Sequence, residues 1–573
     1  MKKNFFVKLF GLTILMFTLL FTGALAETYE GTGYGYDKDG IVLDVEIKDS
    51  KITDVKVKRA KESEFATPAI QEIAKKVIAT QSLDVDGISG ASLTSEGTKE
   101  AIEEAVKKSG ITLTTVTVQN VRTVEFPKET DVVVIGAGGA GLTSAIAAHE
   151  KGAKVILIEK TELLGGNTNY ATAGLNAAGT KIQEKLGVKD SPELFYEDTM
   201  KGGKNKNNKE LVRVLVNNSS AIVDWLIERG ADLSELTSTG GQSAKRTHRP
   251  TGGTAVGPNI VAALSKTAEN EKIDIRKGTK AIALVKTKNR IVGVKVREID
   301  GKEYTIKAKA VIVATGGFGA NAKMVEKYNP KLKGFGSTNS PAIVGDGIIM
   351  VEKVGGALVD MSEIQTHPTV VYNKTNMITE AVRGEGAILV NKDGKRFIDE
   401  LETRDVVSKA ILSQKGKSAF LIFDEDIRTK LKAADGYVKK GFAVEGTLEE
   451  IAAKIGTDAK TLEATLNKYN EAVRDKVDSE FNKKTLPKEL TGTKYYAIEV
   501  SPAVHHTMGG VRINTNAEVL SKNGRPIKGL YAAGEVTGGI HGANRIGGNA
   551  VADITIFGKI AGENAATYSK SVK

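Results

Sequence analysis

No cysteine occurs anywhere in the 573 residues. Its absence excludes disulfides, thiolate metal sites, C-x-x-C-H haem attachment and a lipidated-cysteine anchor, so any redox chemistry must draw on a bound cofactor that needs no thiol ligand. A field of one sign is missing too. Of the formal +11, Lys2, Lys3 and Lys8 belong to the N-terminal segment, and the remaining excess of eight is spread over a long chain in which Lys and Glu interleave. That is a solvated surface and not a nucleic-acid face. Aromatic residues are few, at 5%, and histidine is limited to His149, His248, His367, His505, His506 and His541. What remains is aliphatic and glycine-rich, which fits a large α/β protein. The length exceeds the ~250 to 300 residues at which one hydrophobic core stops growing, so two or three domains are expected. No internal repeat or low-complexity tract is present.

Long apolar runs are scarce as well, and the one at the N-terminus is informative. Met1-Lys2-Lys3, the stretch Leu9 to Phe21 and the small-residue ending Ala24-Leu25-Ala26 form the pattern of a secretory signal peptide over 1–26. It predicts an exported protein, extracellular, cell-surface or periplasmic; the alternative is an uncleaved N-terminal membrane anchor. Residues 27–112 read as a small α+β domain. Ile41, Leu43, Val45 and Ile47 alternate with polar neighbours, Asp49-Ser50-Lys51 turns the chain, and Val55 and Val57 continue a second strand. Thr67-Pro68 opens a helix with Ile70, Ile73, Ala74, Val77 and Ile78 on one face, and a loop from Ser82 to Ser95 leads to a second helix over Glu96 to Lys108, stopped by Gly110. Residues 113–129 read as a linker.

A βαβ unit follows abruptly. Asp131 to Ile135 is a continuous apolar run suited to a buried parallel strand, Gly139 to Gly152 is the next helix, and Val155 to Glu159 the next strand. Between strand and helix stands Gly136-Ala137-Gly138-Gly139-Ala140-Gly141, a G-x-G-x-x-G. Its glycines permit a tight turn, a close approach of backbone to a pyrophosphate and close helix packing, with the helix N-terminus facing the negative charge. Glu159 ends the second strand, placed to accept hydrogen bonds from a ribose. Together these elements specify a dinucleotide site far better than the glycines alone. Gly165-Gly166-Asn167-Thr168, the strand-like Val311 to Gly317 and Gly534-Glu535 resemble the further FAD contacts of the fumarate reductase and succinate dehydrogenase class, from about residue 130 to the end.

Five more strings occur in order: Gln365-Thr366-His367-Pro368, Thr379-Glu380-Ala381-Val382-Arg383-Gly384, Thr403-Arg404-Asp405, Val504-His505-His506-Thr507-Met508-Gly509-Gly510 and His541-Gly542-Ala543-Asn544-Arg545. Taken singly, Arg383 or Arg404 would read as a surface ion pair and His505 as a core histidine. Together the strings resemble the substrate site of soluble flavoprotein fumarate reductases. By that resemblance His367 and Thr379 bind one carboxylate of a dicarboxylate, His505 and Arg545 bind the other, and Arg404 is the proton donor, fed through Glu380 and Arg383. Asp346, His506 and Ala550 join Gly136, Gly138, Gly141, Glu159, Asn167, Thr168 and Glu535 around non-covalent FAD. No metal is implied. The chemistry suits the residues: reduction of an activated C=C bond needs a hydride on one carbon, a proton on the other, and a substrate fixed so that both arrive correctly.

Asp86-Gly87-Ile88-Ser89-Gly90-Ala91-Ser92 resembles the acceptor motif of FMN-binding domains, in which a hydroxyl is joined to FMN through a phosphoester. Most such motifs end in threonine, and here the acceptor is Ser92. The resemblance implies covalent FMN placed by a flavin transferase, taking electrons from a membrane or extracellular donor and passing them to FAD. The expected architecture is a small α+β FMN-binding domain, a Rossmann-like α/β FAD-binding domain over 130–361 and 505–573, and an inserted α+β capping domain over 362–504. The expected reaction is reduction of fumarate to succinate, with urocanate, acrylate, methacrylate or cinnamate as alternatives. Urocanate reductases resemble the chain throughout but carry tyrosine where His367 stands, so His367 with Thr379-Glu380 favours fumarate. An oxidase running in the opposite direction is disfavoured by the FMN module, and a non-catalytic flavin relay by five intact substrate strings.

Overall fold

The computed structural model describes residues 26–35, 39–62, 66–88, 91–116, 127–288, 290–374 and 376–572, with the Ser92 side chain also left undescribed. The signal segment, apart from Ala26, lies outside the described residues, as do Ser89 and Gly90 of the acceptor motif. The chain divides into two compact units, Met1–Val121 and Arg122–Lys573.

In the first unit, strands Glu27–Gly33, Ile41–Lys48 and Lys51–Arg59 form an antiparallel sheet in chain order. Asp49 and Ser50 both take positive φ, 50° and 59°, which matches the right-handed twist of a two-residue hairpin. The alternating face Ile41, Leu43, Val45 and Ile47 is buried beneath helices Thr67–Thr80 and Ser92–Ser109. Two expectations need correction. The second helix starts at Ser92 rather than Glu96, because Ser95 closes the first turn on Ala91 with both its backbone N–H and its hydroxyl, each 2.9 Å from the Ala91 carbonyl. Strand Glu27–Gly33 was not expected from so polar a stretch. Glycine is the reason: a Cβ on Gly31 would lie 1.9 Å from the Ala101 carbonyl oxygen, so the helix rests directly on the strand backbone and few apolar side chains are needed.

The second unit is built on a sheet whose parallel strands run in the spatial order Pro526–Ala532, Glu303–Val313, Glu129–Ile135, Val155–Ile158, Asp274–Arg276. Strand Glu303–Val313 has two roles. Its first half pairs antiparallel with Ile291–Glu298, which pairs with Thr279–Lys286, and its second half lies parallel to Glu129–Ile135. Val132, Val133 and Val134 are fully buried, as a parallel strand covered on both faces requires. Helix Gly139–Glu150 packs against the long C-terminal helix Asn549–Ser571. Close approach is possible because both are small-residue helices: a Cβ on Gly562 would sit 2.3 Å from the Ser144 carbonyl oxygen.

A second sheet has its own hydrophobic core, formed by residues from Val371 to Val500. It runs Ile364–Val371, Tyr495–Thr507, Ala419–Asp424, Ile388–Val390, all neighbours antiparallel. Strand Tyr495–Thr507 stays paired with Ile364–Val371 to its far end, and there Val504 joins the first core. The chain thus passes between the two cores near 361–364 and again near 501–507.

Candidate functional site

The first part of the site grows from the turn after Glu129–Ile135. Gly136 takes φ 98°, and a Cβ there would meet the Ala314 carbonyl oxygen at 2.6 Å. A Cβ on Gly141 would lie 1.7 Å from the Gly136 carbonyl oxygen. These two glycines are demanded by the protein's own packing. Gly138 is different, because a Cβ there would approach nothing closer than the Gly165 carbonyl oxygen at 3.6 Å. A missing side chain where the protein has space fits a backbone kept bare for a pyrophosphate at the start of the 12-residue helix Gly139–Glu150. Glu159 is buried; one carboxylate oxygen accepts from Ala137 N at 2.8 Å and the other from Thr161 N at 2.9 Å. The acid is thereby fixed beside the glycine loop, with lone pairs to spare. Asp346 opens helix Asp346–Lys353 and pairs with Lys160 at 2.6 Å, next in sequence to Glu159.

Further along, Thr168 Oγ1 accepts from Gly139 N at 3.0 Å, and Asn167 donates to Asn339 at 2.6 Å and accepts from Ser340 N at 2.8 Å. Glu535 accepts from Thr507 N at 3.0 Å and from Asn167 at 3.4 Å, and burial raises its carboxyl above the usual range. His506 lies 3.7 Å from Glu535 and edge-on to His541, which bonds Asp553 at 3.1 Å. Burial, with Arg545 nearby, holds His506 neutral, and its Nε2 is buried without a protein partner. Ala550 stands in the first turn of Asn549–Ser571, behind Gly548 at φ 88°. The candidate FAD residues therefore line the carboxyl ends of the parallel strands and the starts of three helices, and an orphaned polar nitrogen within them is what a bound isoalloxazine would satisfy.

The second part sits where the two cores meet. His505 and His506 are adjacent yet serve different neighbourhoods, and the ladder explains why. Gln365 pairs with His506 but Thr366 pairs with Val504, so His505 is the extra residue of a β-bulge, a device that re-aims a side chain. His505 accordingly meets Thr338 at 2.8 Å and His367 edge-on, with ring centroids 5.3 Å apart. Both imidazoles are pushed well below their ordinary value by burial and then by Arg404, so both are neutral hydrogen-bonding groups. His367 Nδ1 is buried without a partner.

Arg404 begins helix Arg404–Leu412, and Glu380 begins helix Glu380–Gly384 behind Thr379, whose hydroxyl caps that helix at Ala381 N. Arg404 Nε and Nη2 donate to the two carboxylate oxygens of Glu380 at 3.1 and 3.3 Å. Arg383, 1% exposed, stands 3.5 Å from the same carboxylate and donates to the Glu400 carbonyl at 2.5 Å. Burial alone would raise Glu380, but Arg404 and Arg383 hold it at about 2. Arg545 is buried, and burial together with the Arg404 charge pushes its guanidinium down to about 9. The site brings His367, His505, Arg404, Glu380, Arg383 and Arg545 together, with Thr379 at its edge.

Gln365 joins this group, although its string alone assigns it no role. Its Nε2 donates to Asn544 at 2.7 Å and to the Arg545 carbonyl at 2.8 Å, while its oxygen accepts from Arg404 and Arg545, each at 3.2 Å. Every hydrogen-bonding position of the amide is used. A neutral oxygen therefore ties two like charges together without neutralising either. The signal was present: Gln365 and His367 are two apart on one strand and so share a face.

Comparison with known proteins identifies the domains and relatives. Residues 131–551 match the FAD binding domain family and residues 35–107 the FMN-binding domain family. The chain is 44% identical over 538 residues to an NADH:fumarate oxidoreductase of Klebsiella pneumoniae, covering 93% of this chain but 58% of that longer protein. It is 51% identical over 442 residues to a fumarate reductase (cytochrome) of Shewanella frigidimarina, 77% of each chain, and 35% identical over 568 residues to a urocanate reductase of Eggerthella lenta, 96% of this chain and 93% of that one. Among solved structures, the open conformation of a flavocytochrome c3 fumarate reductase superposes with a TM-score of 0.69 at 44% identity, covering 77% of this chain and 78% of that one.

Proposed function

Because this chain belongs to the FAD-binding fumarate reductase family and is an oxidoreductase with FAD- and FMN-binding domains, we propose that it reduces the C=C bond of fumarate to succinate. The observation that carries the substrate is charge. Around the meeting point of the two cores stand three buried guanidiniums, Arg383, Arg404 and Arg545; Glu380 is the carboxylate that Arg383 and Arg404 contact, Arg545 has no carboxylate at ion-pair distance among the described residues, and both histidines are held neutral. Buried charges are otherwise paired, and a guanidinium without a contacting carboxylate, beside two that share one, is a setting that a dianionic dicarboxylate neutralises.

In this reading His367 and Thr379 hold one carboxylate, and His505 and Arg545 hold the other. Bound FAD supplies the hydride. Arg404 gives a guanidinium proton to the second carbon, and Glu380, in contact with both Arg404 and Arg383, passes a proton back to it. Reduction of urocanate is the second reading, supported by a match to a urocanate reductase along nearly the whole chain. The monoanions urocanate, acrylate, methacrylate and cinnamate bring one carboxylate where fumarate brings two. Enzyme reduced by dithionite is expected to be reoxidised by fumarate much faster than by any of these four, followed by flavin absorbance. Faster reoxidation by urocanate would replace the fumarate assignment.

Electrons are proposed to enter through FMN on Ser92, fixed by a flavin transferase, from a membrane or extracellular donor, with export directed by residues 1–26. A covalent cofactor suits an exported protein because it does not diffuse away. Ser92→Ala is expected to lose the mass of one FMN while keeping FAD and dithionite-driven fumarate reduction, as read by intact-protein mass spectrometry. A flavin mass remaining on the variant rules out Ser92 as the attachment point.

A further inference from the structure

The turn at residues 202–207, between helices Pro192–Gly202 and Lys209–Asn217, belongs to none of the strings that resemble the substrate site, yet it touches both halves of that site. On one side it grips the segment leading into Arg545. The Gly203 carbonyl accepts from Ala543 N at 3.0 Å, the Gly202 carbonyl from Asn544 Nδ2 at 3.4 Å, and Asn207 Nδ2 donates to the Ile540 carbonyl at 2.9 Å. On the other side it reaches the second core's elements. Lys204 pairs with Asp405, the residue after Arg404, and Lys206 pairs at 2.9 Å with Glu363, two residues before Gln365.

The turn is built for reach. Lys204 and Asn205 are consecutive non-glycine residues in the left-handed region, φ 56° and 57°, a conformation retained where surrounding structure enforces it and common at functional sites. Here the enforcement is visible: Asn205 N donates to the Met200 carbonyl at 2.8 Å, and Gly203 and Lys204 close back onto the preceding helix at 3.0 Å. Asp405 is equally constrained, with its other oxygen accepting from Thr403 Oγ1 at 2.7 Å across the start of helix Arg404–Leu412.

We propose that Lys204 and Asp405 form a latch that pins the helix start carrying Arg404 to the segment carrying Arg545, keeping proton donor and carboxylate clamp in register through Gln365. Both are positioning residues, acting through Arg404 and Arg545, so the proposal rests on the roles assigned to those arginines. The second tie, Lys206 to Glu363, lies where the chain first passes between the two cores and supports the same alignment. Lys204 and Asp405 are 53% and 36% exposed, so salt reaches the pair and its contribution is a matter of severalfold effects rather than collapse.

The test is a charge-swap cycle on the full-length holoenzyme, using Lys204→Glu, Asp405→Lys and the double variant, with kcat/KM for fumarate as the readout. Each single variant is expected to lose roughly three- to fivefold, because a like-charge pair replaces an attractive one. The double variant is expected to recover at least about threefold relative to the product of the two single losses. Reduction of FAD by dithionite should be unchanged throughout. Raising salt to about 0.5 M should lower the parent's kcat/KM more than that of Lys204→Met, whose latch is already open. Strictly multiplicative losses in the cycle, or identical salt dependence in parent and Lys204→Met, would overturn the latch. Should the parent fail to reduce fumarate yet reduce another enoate, the functional reading fails, and the same cycle run on that enoate decides the latch.

Discussion

Arg404→Lys is expected to lower fumarate turnover by roughly two to four orders of magnitude, the usual contribution of a positioned acid, while fumarate still perturbs the FAD spectrum and dithionite still reduces the flavin normally. The geometry explains why a cation alone is insufficient. The Arg404 guanidinium engages Glu380 through Nε and Nη2 and Gln365 through Nη1 at the same time. Lysine is a point charge on a different reach and cannot span a carboxylate and an amide together. It preserves attraction for a dianion but loses the link to Glu380 through which, in the proposed mechanism, a proton returns. Glu380→Gln should be milder, because water can bypass a relay member more readily than the terminal donor. An Arg404→Lys enzyme turning over at close to the parental rate would reduce Arg404 to an anion clamp.

What the sequence disclosed and what it hid follow from the range of the interactions involved. The βαβ unit was legible because each requirement is local: a strand buried on both faces must be continuously apolar, and Gly136 and Gly141 must be glycine because backbone lies within 3 Å of where a Cβ would go. The candidate substrate residues were legible only through resemblance. Nothing local to Arg404 or Arg545 says that 140 intervening residues fold so that both reach the oxygen of Gln365. Strand Glu27–Gly33 was hidden because its partner helix is some 70 residues away, and glycines rather than apolar side chains make the contact. The bulge at His505 was equally invisible, since it depends on register with Ile364–Val371. The pairing of Lys204 with Asp405 joins residues 201 positions apart with no sequence pattern at all.

The Arg545→Met variant separates substrate binding from fold stability. Arg545 is 6% exposed, its Nε has no protein partner, and its fixed contacts are the Ile546 carbonyl at 3.1 Å and the shared Gln365 oxygen. Without substrate it is a buried cation repelled by Arg404, which is why its guanidinium is pushed down to about 9. A charged form disfavoured by the fold does not stabilise it, so methionine of similar length should leave the melting temperature equal to or above the parental value. Substrate binding should respond in the opposite sense. Truncating one partner of a desolvated charge pair costs about 2 to 5 kcal/mol, or roughly 30-fold to a few thousand-fold in kcat/KM, mostly as a raised KM. The lowered guanidinium value adds a pH signature. The protonated form binds the dianion, and kcat/KM reports groups of the free enzyme, so the parent's kcat/KM should fall as pH rises through about 9. That limb should be absent from Arg545→Met, which carries no proton at this position to lose. A variant with near-parental fumarate kinetics, or one that keeps the alkaline limb unchanged, would remove Arg545 from the carboxylate clamp and leave its buried charge without its assigned purpose.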